Sequence, residues 1–367
     1  MRSGSSASVL MLSKALVVGA YQKKAEEIAR FEDVDLTVVV PPVWGNTPLE
    51  RAHTKGYNLV VSDIAFNGNF HLHYYPKLKQ IVAQTQPDII HIDEEPYNLA
   101  TFQAMKLAQK IGAKTLVFTW QNLKRRYPPP FSWLEKYVLR HTDALLVGNA
   151  GAAEVWPAKG YRGLMRQIPQ FGVDPNIFYR HQRVKRVSKP GVVLRRSARR
   201  PSQPTLSIGY VGRLVPEKGI DLLLEAAAKL KGPWEMKILG SGPDRSRLEK
   251  MAQWLGLGNN RISFDQQIPS THMPNYLSGL DALVLPSLTQ SNWKEQFGRV
   301  LIEAMACEVV TVGARSGAIP EVIGQAGLLF DEGNSEDLAA QLQRLLDDVP
   351  LRQKLRQAGR QRVLNNY

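Results

Sequence analysis

The sequence predicts an α/β protein made of two doubly wound domains, with parallel sheets facing a central cleft. Three observations carry this expectation. Short β-branched runs alternate with helix-period segments along both halves, the grammar of strand–helix–strand crossovers. The strand candidates, LTVVV and TLVFT among them, are continuously apolar, as strands covered on both faces must be. The chain has 367 residues, enough for two or three domains of roughly 100–200 residues each.

The elements follow in order. The start, MRSGSSASVLMLSKALVVGA, is expected as a short tail and not a signal peptide: it has one early arginine but no continuous apolar stretch before Lys14. Ala15–Gly19 (ALVVG) is expected as the first strand and Lys23–Phe31 as a helix. Leu36–Val40 is a strand closed by Pro41 and Pro42, which cannot donate to a ladder. A helix over His73–Gln84 leads to a strand at Asp88–Ile92, and a helix over Tyr97–Ile111 stops at Gly112. Thr115–Thr119 is a strand, Phe131–Arg140 a helix and Ala144–Val147 a strand.

The second half repeats the pattern. Strands are expected at Leu206–Val211, Trp234–Leu239, Ile262–Phe264, Ala282–Leu285, Val309–Val312 and Leu328–Phe330. Helices are expected at Gly219–Leu230, Arg245–Leu255, Met273–Leu277, Gly298–Ala306, Ser335–Leu346 and Leu351–Leu364. The expected domains are residues 1–179 and 205–367, joined by a linker over 180–204. In open parallel sheets ligands bind beyond the strand C-termini, so the cleft is the expected site.

Composition narrows the class. Hydrophobic residues make up 44% and charged residues 22% of the chain, an ordinary globular balance. The one cysteine, Cys307, cannot form an internal disulfide and suits a reducing compartment, so a cytoplasmic location is expected. No apolar run is long enough to cross a membrane as a helix. The net charge of +14 is mostly local: Arg180–Pro204 alone holds nine Lys and Arg and no acid. With two glycine- or proline-marked breaks and no sustained period, that segment reads as a linker. Its charge leaves peripheral contact with an anionic membrane, at the inner face, as a further role. No signature of specific nucleic-acid binding accompanies it.

Two motifs carry chemistry. Gly212-Arg-Leu-Val-Pro-Glu-Lys-Gly219 follows a strand and opens a helix. Its glycines allow close backbone approach, and Arg213 and Lys218 with a helix N-terminus make a diphosphate site; a surface turn with two solvated cations is the alternative. Glu295-Gln-Phe-Gly-Arg-Val-Leu-Ile-Glu303 sets a carboxylate ahead of Gly298 and another about five residues, or ~7–8 Å, inside the helix. Such a pair can accept the hydroxyls of a ribose and a sugar while the helix start meets phosphate; a chance pair on an amphipathic helix is the alternative. A glycosidase needs its carboxyls ~5–9.5 Å apart, whereas the eight positions from Glu295 to Glu303 span nearer ~12 Å along a helical segment, which disfavours that use.

Taken together these segments resemble the retaining GT-B glycosyltransferases of glycosyltransferase family 4. The resemblance rests on GYVGRLVPEKGIDLLLEA (Gly209–Ala226), ILGSGPDRSRLE (Ile238–Glu249), LVLPS (Leu283–Ser287), EQFGRVLIEAMACEVVTVGARSGAIPEVI (Glu295–Ile323) and GLLFDEGNSEDLA (Gly327–Ala339). The first half is similar through PDIIH (Pro87–His91) and FGVDPNIF (Phe171–Phe178). It implies a GT-B fold of two Rossmann-like domains and a metal-independent transferase that moves a sugar from a UDP- or GDP-sugar to an acceptor hydroxyl, with no bound cofactor. It further implies that Arg213 and Lys218 hold the diphosphate, with Gly212 beside them. Glu303 takes the ribose, and Glu295 contacts the donor sugar with help from the backbone of Phe297 and Gly298. The backbone near Gln266 and Gln267 would lie by the base, where the family often has glycine.

On the acceptor side, Glu94 and Glu95 in HIDEEPYN follow a strand where a substrate loop is expected. Gln121 stands where many members of the family carry histidine, and the family's glycine-rich loop is reduced to Gly19-Ala-Tyr21. Family members usually continue past a segment like Gly359–Tyr367 into helices that cross back to the first domain, so that crossover is expected to be absent here. Lys124–Tyr137 interleaves cations with aromatics, suiting either an anionic interface or packing on its own domain. Asp33 and Asp35 read as a surface pair and His71 and His73 as packing residues, so no metal site is expected. Two other classes stay open: a nucleotide-sugar epimerase or hydrolase, and a non-catalytic binding module recruited by its basic linker.

Overall fold

The computed structural model describes residues 6–180, 205–258 and 261–367. The basic segment expected as a linker lies, apart from Arg180, outside the described residues. The chain forms two compact units, Met1–Gly172 and Val173–Tyr367.

The first unit is a seven-stranded parallel sheet in the order β5-β2-β1-β6-β7-β8-β9. Its strands are β1 (Ala7–Leu12), β2 (Val34–Val40), β5 (Asn58–Val61), β6 (Ile89–Ile92), β7 (Lys114–Thr119), β8 (Ala144–Val147) and β9 (Leu164–Gln167). A small hairpin, β3 (Val43–Trp44) with β4 (Thr47–Pro48), stands apart. Helices α1 (Lys23–Ile28), α2 (Leu78–Thr85), α3 (Leu99–Ile111), α4 (Phe131–His141) and α5 (Ala150–Ala158) make the crossovers. Gly112 ends α3 in the left-handed region at φ 75°, a conformation that glycine adopts without a Cβ penalty.

The second unit is a six-stranded parallel sheet in the order β12-β11-β10-β13-β14-β15. The strands are β10 (Leu206–Val211), β11 (Trp234–Leu239), β12 (Ile262–Asp265), β13 (Ala282–Leu285), β14 (Val310–Ala314) and β15 (Leu328–Phe330). Helices are α6 (Ile220–Ala228), α7 (Arg245–Trp254), α8 (Met273–Ser278), α9 (Arg299–Ala306), α10 (Ile319–Ile323), α11 (Ser335–Asp347) and α12 (Val349–Asn366). Every residue of β13 and β14 is buried, which is why these strands, Thr311 apart, are apolar instead of alternating. Asn334 caps α11 by accepting from the N–H groups of Glu336 and Asp337, two acids that also suit the positive end of the helix.

Three expectations are corrected. Ala15–Gly19 is not a strand; it forms two tight 3-10 turns, and the first strand is Ala7–Leu12, within the segment expected as a tail. Both runs are short and apolar, so periodicity does not separate them. Pairing does: Ala7–Leu12 bonds to β2 on one side and β6 on the other. Leu16 and Val17 are buried instead beside the turn that Glu50 and Gln22 tie down. Strands β5 and β9 pass unnoticed in the sequence because edge strands are partly exposed and carry weak patterns. Helices α5 and α10, nine and five residues long, are absent from the expected elements; each carries a proline, Pro157 and Pro320, that breaks the helical pattern in the sequence.

Val173–Arg180 belongs to the second unit. Arg360 on α12 donates to the carbonyls of Phe178, Pro175 and Ala306, and the Val173 N–H reaches the Tyr367 carbonyl at 3.1 Å. Phe178 is buried there. The last described helix thus packs on the irregular segment Val173–Arg180 of its own unit.

Candidate functional site

In both sheets the strand order reverses beside the first strand, between β1 and β6 and between β10 and β13. Ligands of doubly wound sheets bind at such switch points, beyond the strand C-termini. The motifs of the second half converge on the β10/β13 point. Gly212 follows β10, and a Cβ on Gly240 would sit 1.9 Å from the Gly212 carbonyl oxygen, so the two turns touch backbone to backbone. Gly219 caps α6 at φ 62°, where a Cβ would lie 2.1 Å from the carbonyl oxygen of Pro286. Only glycine fits both the angle and the space.

Lys218 and Glu295, 77 positions apart, meet here. The Lys218 ammonium lies 2.6 Å from Glu295 Oε2, with the side chains only 13% and 10% exposed. Ser287 Oγ, just past β13, donates to the same oxygen at 2.9 Å. Lys218 also stands 4.7 Å from the centre of the Trp293 ring, a cation–π contact. The Glu295 carbonyl accepts from the Ala318 N–H at 3.0 Å, and a Cβ on Gly317 would lie 2.1 Å from that oxygen. Backbone and side chain are therefore both fixed. Gly298, at φ 73°, opens α9 against Leu285, setting the positive end of that helix at the end of β13.

The other residues singled out in this unit are placed differently. Arg213 is largely exposed, with a 3.3 Å contact to Glu217, and its carbonyl is held by the Tyr210 hydroxyl. Glu303 is nearly buried on α9 and accepts from Arg299 Nε at 2.6 Å, one helical turn away. Phe297 is buried, its ring centre 5.8 Å from that of Tyr367. Ser287, the last residue of LVLPS, was given no role from the sequence, and Trp293 was not singled out; its place two positions before Glu295 was its only signal.

In the first unit the β1/β6 switch point is lined by a buried ionic network. Lys14 is paired with Glu94, whose carboxylate also lies 3.3 Å from His73 Nε2 and accepts from Asn98. Asp93 accepts from Ser13 at 2.7 Å and from Gln170 at 2.7 Å, with Lys24 at 3.7 Å. Burial lowers the Lys14 pKa to about 8 against the pull of Glu95 and Asp93. Burial, with Lys24 nearby, holds His91 neutral with its pKa down at about 4. His73 packs edge-on against Trp44 at 4.9 Å, so it is a packing residue as expected, but one that also completes the network.

The acceptor-side residues named from the sequence sit around this network. Glu95 accepts from the Thr119 hydroxyl at 2.6 Å and the Trp120 N–H at 2.8 Å, which ties it to the end of β7; burial raises its pKa. Gln121 donates to the Leu123 carbonyl, and its Oε1 is buried with no hydrogen-bond partner among the described residues. The Gly19 N–H donates to Glu50 at 2.8 Å, so this remnant of a glycine-rich loop bonds within the protein. Lys14, two residues past the apolar run VLML, was hidden by placing the first strand eight residues too late. Among the described residues no group of three or more His, Cys, Asp or Glu is arranged to hold a metal ion.

Two parallel doubly wound sheets in one chain define the GT-B fold class. The chain superimposes on sucrose-phosphate synthase from Thermosynechococcus elongatus with a TM-score of 0.72 at 20% identity, covering 98% of this chain and 95% of that one. It superimposes on Anabaena HepE in complex with UDP and glucose with a TM-score of 0.70 at 17% identity, over the same shares of the two chains. Residues 195–362, just under half of the chain, match the family model of the glycosyl transferases group 1. The chain is 28% identical over 305 residues to a sulfoquinovosyl transferase of Arabidopsis thaliana, covering 78% of this chain and 55% of that one. It is 31% identical over 164 residues to a GDP-mannose-dependent phosphatidylinositol monomannoside mannosyltransferase of Mycolicibacterium smegmatis, covering 43% of each. The chain thus spans about half the length of these relatives.

Proposed function

We propose that the protein is a glycosyltransferase that moves a sugar from a nucleoside-diphosphate sugar to an acceptor hydroxyl, with retention at the anomeric carbon. The observation that carries this reading is the nearly buried Lys218–Glu295 pair at the β10/β13 switch point, inside the segment that matches the group 1 model. One cation and one carboxylate, held by Ser287 and two glycine turns, suit a ligand that brings both a diphosphate and sugar hydroxyls.

In this mechanism the donor diphosphate takes over part of the Lys218 ammonium, and Arg213 swings from Glu217 to grip a second oxygen. Glu295, relieved of part of its partner, accepts hydroxyls of the sugar. As the sugar–oxygen bond lengthens, charge grows on the leaving diphosphate, and Lys218 with the N-terminus of α9 stabilises it. That cluster supplies the positive charge a metal ion would otherwise bring. Glu303, one turn into α9, takes the ribose hydroxyls, with Arg299 orienting its carboxylate. The acceptor hydroxyl attacks from the face that the diphosphate leaves. Glu95, Gln121 and Gly19 act by shaping the ends of β7 and of the first turn around the network of Lys14, Asp93 and Glu94.

The donor is a UDP- or GDP-sugar, in line with the UDP bound by HepE and the GDP-mannose named for the mycobacterial relative. The acceptor is a glycan, glycolipid or lipid-linked hydroxyl. The test is a panel of nucleotide sugars scored by thermal shift and by slow release of nucleoside diphosphate, with Glu295→Ala as control. A stabilising donor cleaved only by wild type supports the reading, and proton NMR of the released or transferred sugar reports its anomeric configuration. Full turnover by Glu295→Ala, or rapid isomerisation of the donor without acceptor, overturns it.

A further inference from the structure

On the first unit, away from both switch points, a groove of about 410 Å³ runs between α4 and the connection from α5 to β9. Lys136, Arg140, Lys159 and Arg162 line it, with Thr142 and Tyr161 between them. Lys159 is already paired with the buried Glu135. Lys136 and Arg140 have no acidic partner among the described residues, and Arg162 contacts only the carbonyls of Pro157 and Tyr161. Three cations are therefore left facing solvent around one concavity.

Trp133 lies on the same stripe of α4, three positions before Lys136 and seven before Arg140, and is 64% exposed. Lys124, Arg125 and Arg126 stand exposed just before the helix. That approach is braced from inside: His71 packs against Tyr97, Tyr127 and Phe131, which joins the loop of His71 to the start of α4. Phe70 of the same loop packs edge-on against Trp44, 5.7 Å from the Lys14 ammonium, and so belongs to the first switch point and not to the groove. What sets this stripe apart is an exposed indole in line with two cations that have no acidic partner among the described residues. They match an interface where aromatic rings sit at headgroup depth and cations meet lipid phosphates.

We infer that α4 and its flanking loops dock on an anionic phospholipid surface, with a lipid phosphate seated in the groove between Lys136, Arg140 and Arg162. The inference stands apart from the donor site and holds whatever sugar the protein transfers.

The test is flotation with vesicles of phosphatidylcholine alone and of phosphatidylcholine with phosphatidylglycerol. It uses the full chain in which Arg183, Lys185, Arg186, Lys189, Arg195, Arg196, Arg199 and Arg200 are changed to glutamine, so that the basic segment does not mask the groove. Binding is expected only to the phosphatidylglycerol vesicles. Each surface cation contributes about fivefold, so Lys136→Gln with Arg140→Gln should lower the partition constant roughly 30-fold. Trp133→Ala should weaken it as well. Unchanged melting by circular dichroism keeps loss of fold apart from loss of binding. Equal binding by the double variant, equal binding to both vesicle types, or binding to duplex DNA instead of vesicles overturns the inference. Free inorganic phosphate that displaces the protein only at tens of millimolar agrees with a lipid surface; displacement at micromolar levels would assign the groove to a soluble phosphate ligand and also overturn it.

Discussion

Neutralising Glu295 should strengthen binding of the bare nucleotide while abolishing sugar transfer. The reason lies in the ion pair. At 2.6 Å and an effective dielectric constant of about 20, Lys218 and Glu295 attract by roughly 6 kcal/mol before desolvation is counted. A diphosphate that recruits Lys218 must weaken this attraction. If a quarter of it is surrendered, binding loses about 1.5 kcal/mol, a factor near 10 in affinity. In Glu295→Gln that penalty vanishes, so the bare UDP or GDP that wild type prefers should bind about tenfold more tightly. Lys218→Met removes a charge-assisted contact and should weaken the same nucleotide by about 1.5–3 kcal/mol. Turnover should fall in both, by about a hundredfold or more where a group that stabilises the transition state is lost. Titration calorimetry with UDP and GDP, beside release of nucleoside diphosphate from the donor, reads all of these. If Glu295→Gln binds the bare nucleotide more weakly than wild type, the competition between carboxylate and diphosphate does not exist and the reasoning fails.

Three further outcomes are expected. Gly219→Ala combines a left-handed backbone with a Cβ 2.1 Å from the Pro286 carbonyl; it should cost at least about 2 kcal/mol, visible as a lowered melting temperature, and weaken donor binding. Arg360→Ala frees three carbonyls bound by one guanidinium and should destabilise the second unit by about 2–3 kcal/mol in urea unfolding, whereas Arg360→Lys should recover only part of it. His91 is neutral in the fold, with its pKa lowered from 6.5 to about 4. The unfolded chain therefore binds the extra proton first, and stability present above pH 6.5 is lost as pH falls towards 4, by up to about 3 kcal/mol. Urea midpoints of wild type and His91→Gln across this range check it: a wild-type slope no steeper than the variant's contradicts a neutral buried imidazole.

The second half was almost fully legible because its signals are local. β13 and β14 are buried over their whole length and apolar but for Thr311, and glycines mark the turns after β10 and before α9, so strand, turn and helix are each dictated by neighbours in sequence. The fold class followed from the same grammar. The first unit was harder to read at its beginning, since ASVLML and ALVVG have the same apolar character and only pairing with β2 and β6 makes one of them the central strand. That choice moves Lys14 from a tail to a switch point and assembles it with Asp93, Glu94 and His73.

What the sequence determined by itself was the alternation of elements, the glycines that the turns require, and the residue types near each strand end. Backbone sterics and burial periodicity act over a few residues, and a few residues can be read directly. Partnership was decided only by the tertiary structure. Lys218 and Glu295 were assigned to different parts of a ligand, and the fold sets them 2.6 Å apart across 77 positions of chain. Arg213, assigned the same role as Lys218, is left at the surface against Glu217. Lys136, Arg140 and Arg162 share one groove because α4 happens to pack beside the approach to β9. Long-range pairing of charges depends on which elements become neighbours in space. That is settled by sheet order and packing, which no local pattern encodes.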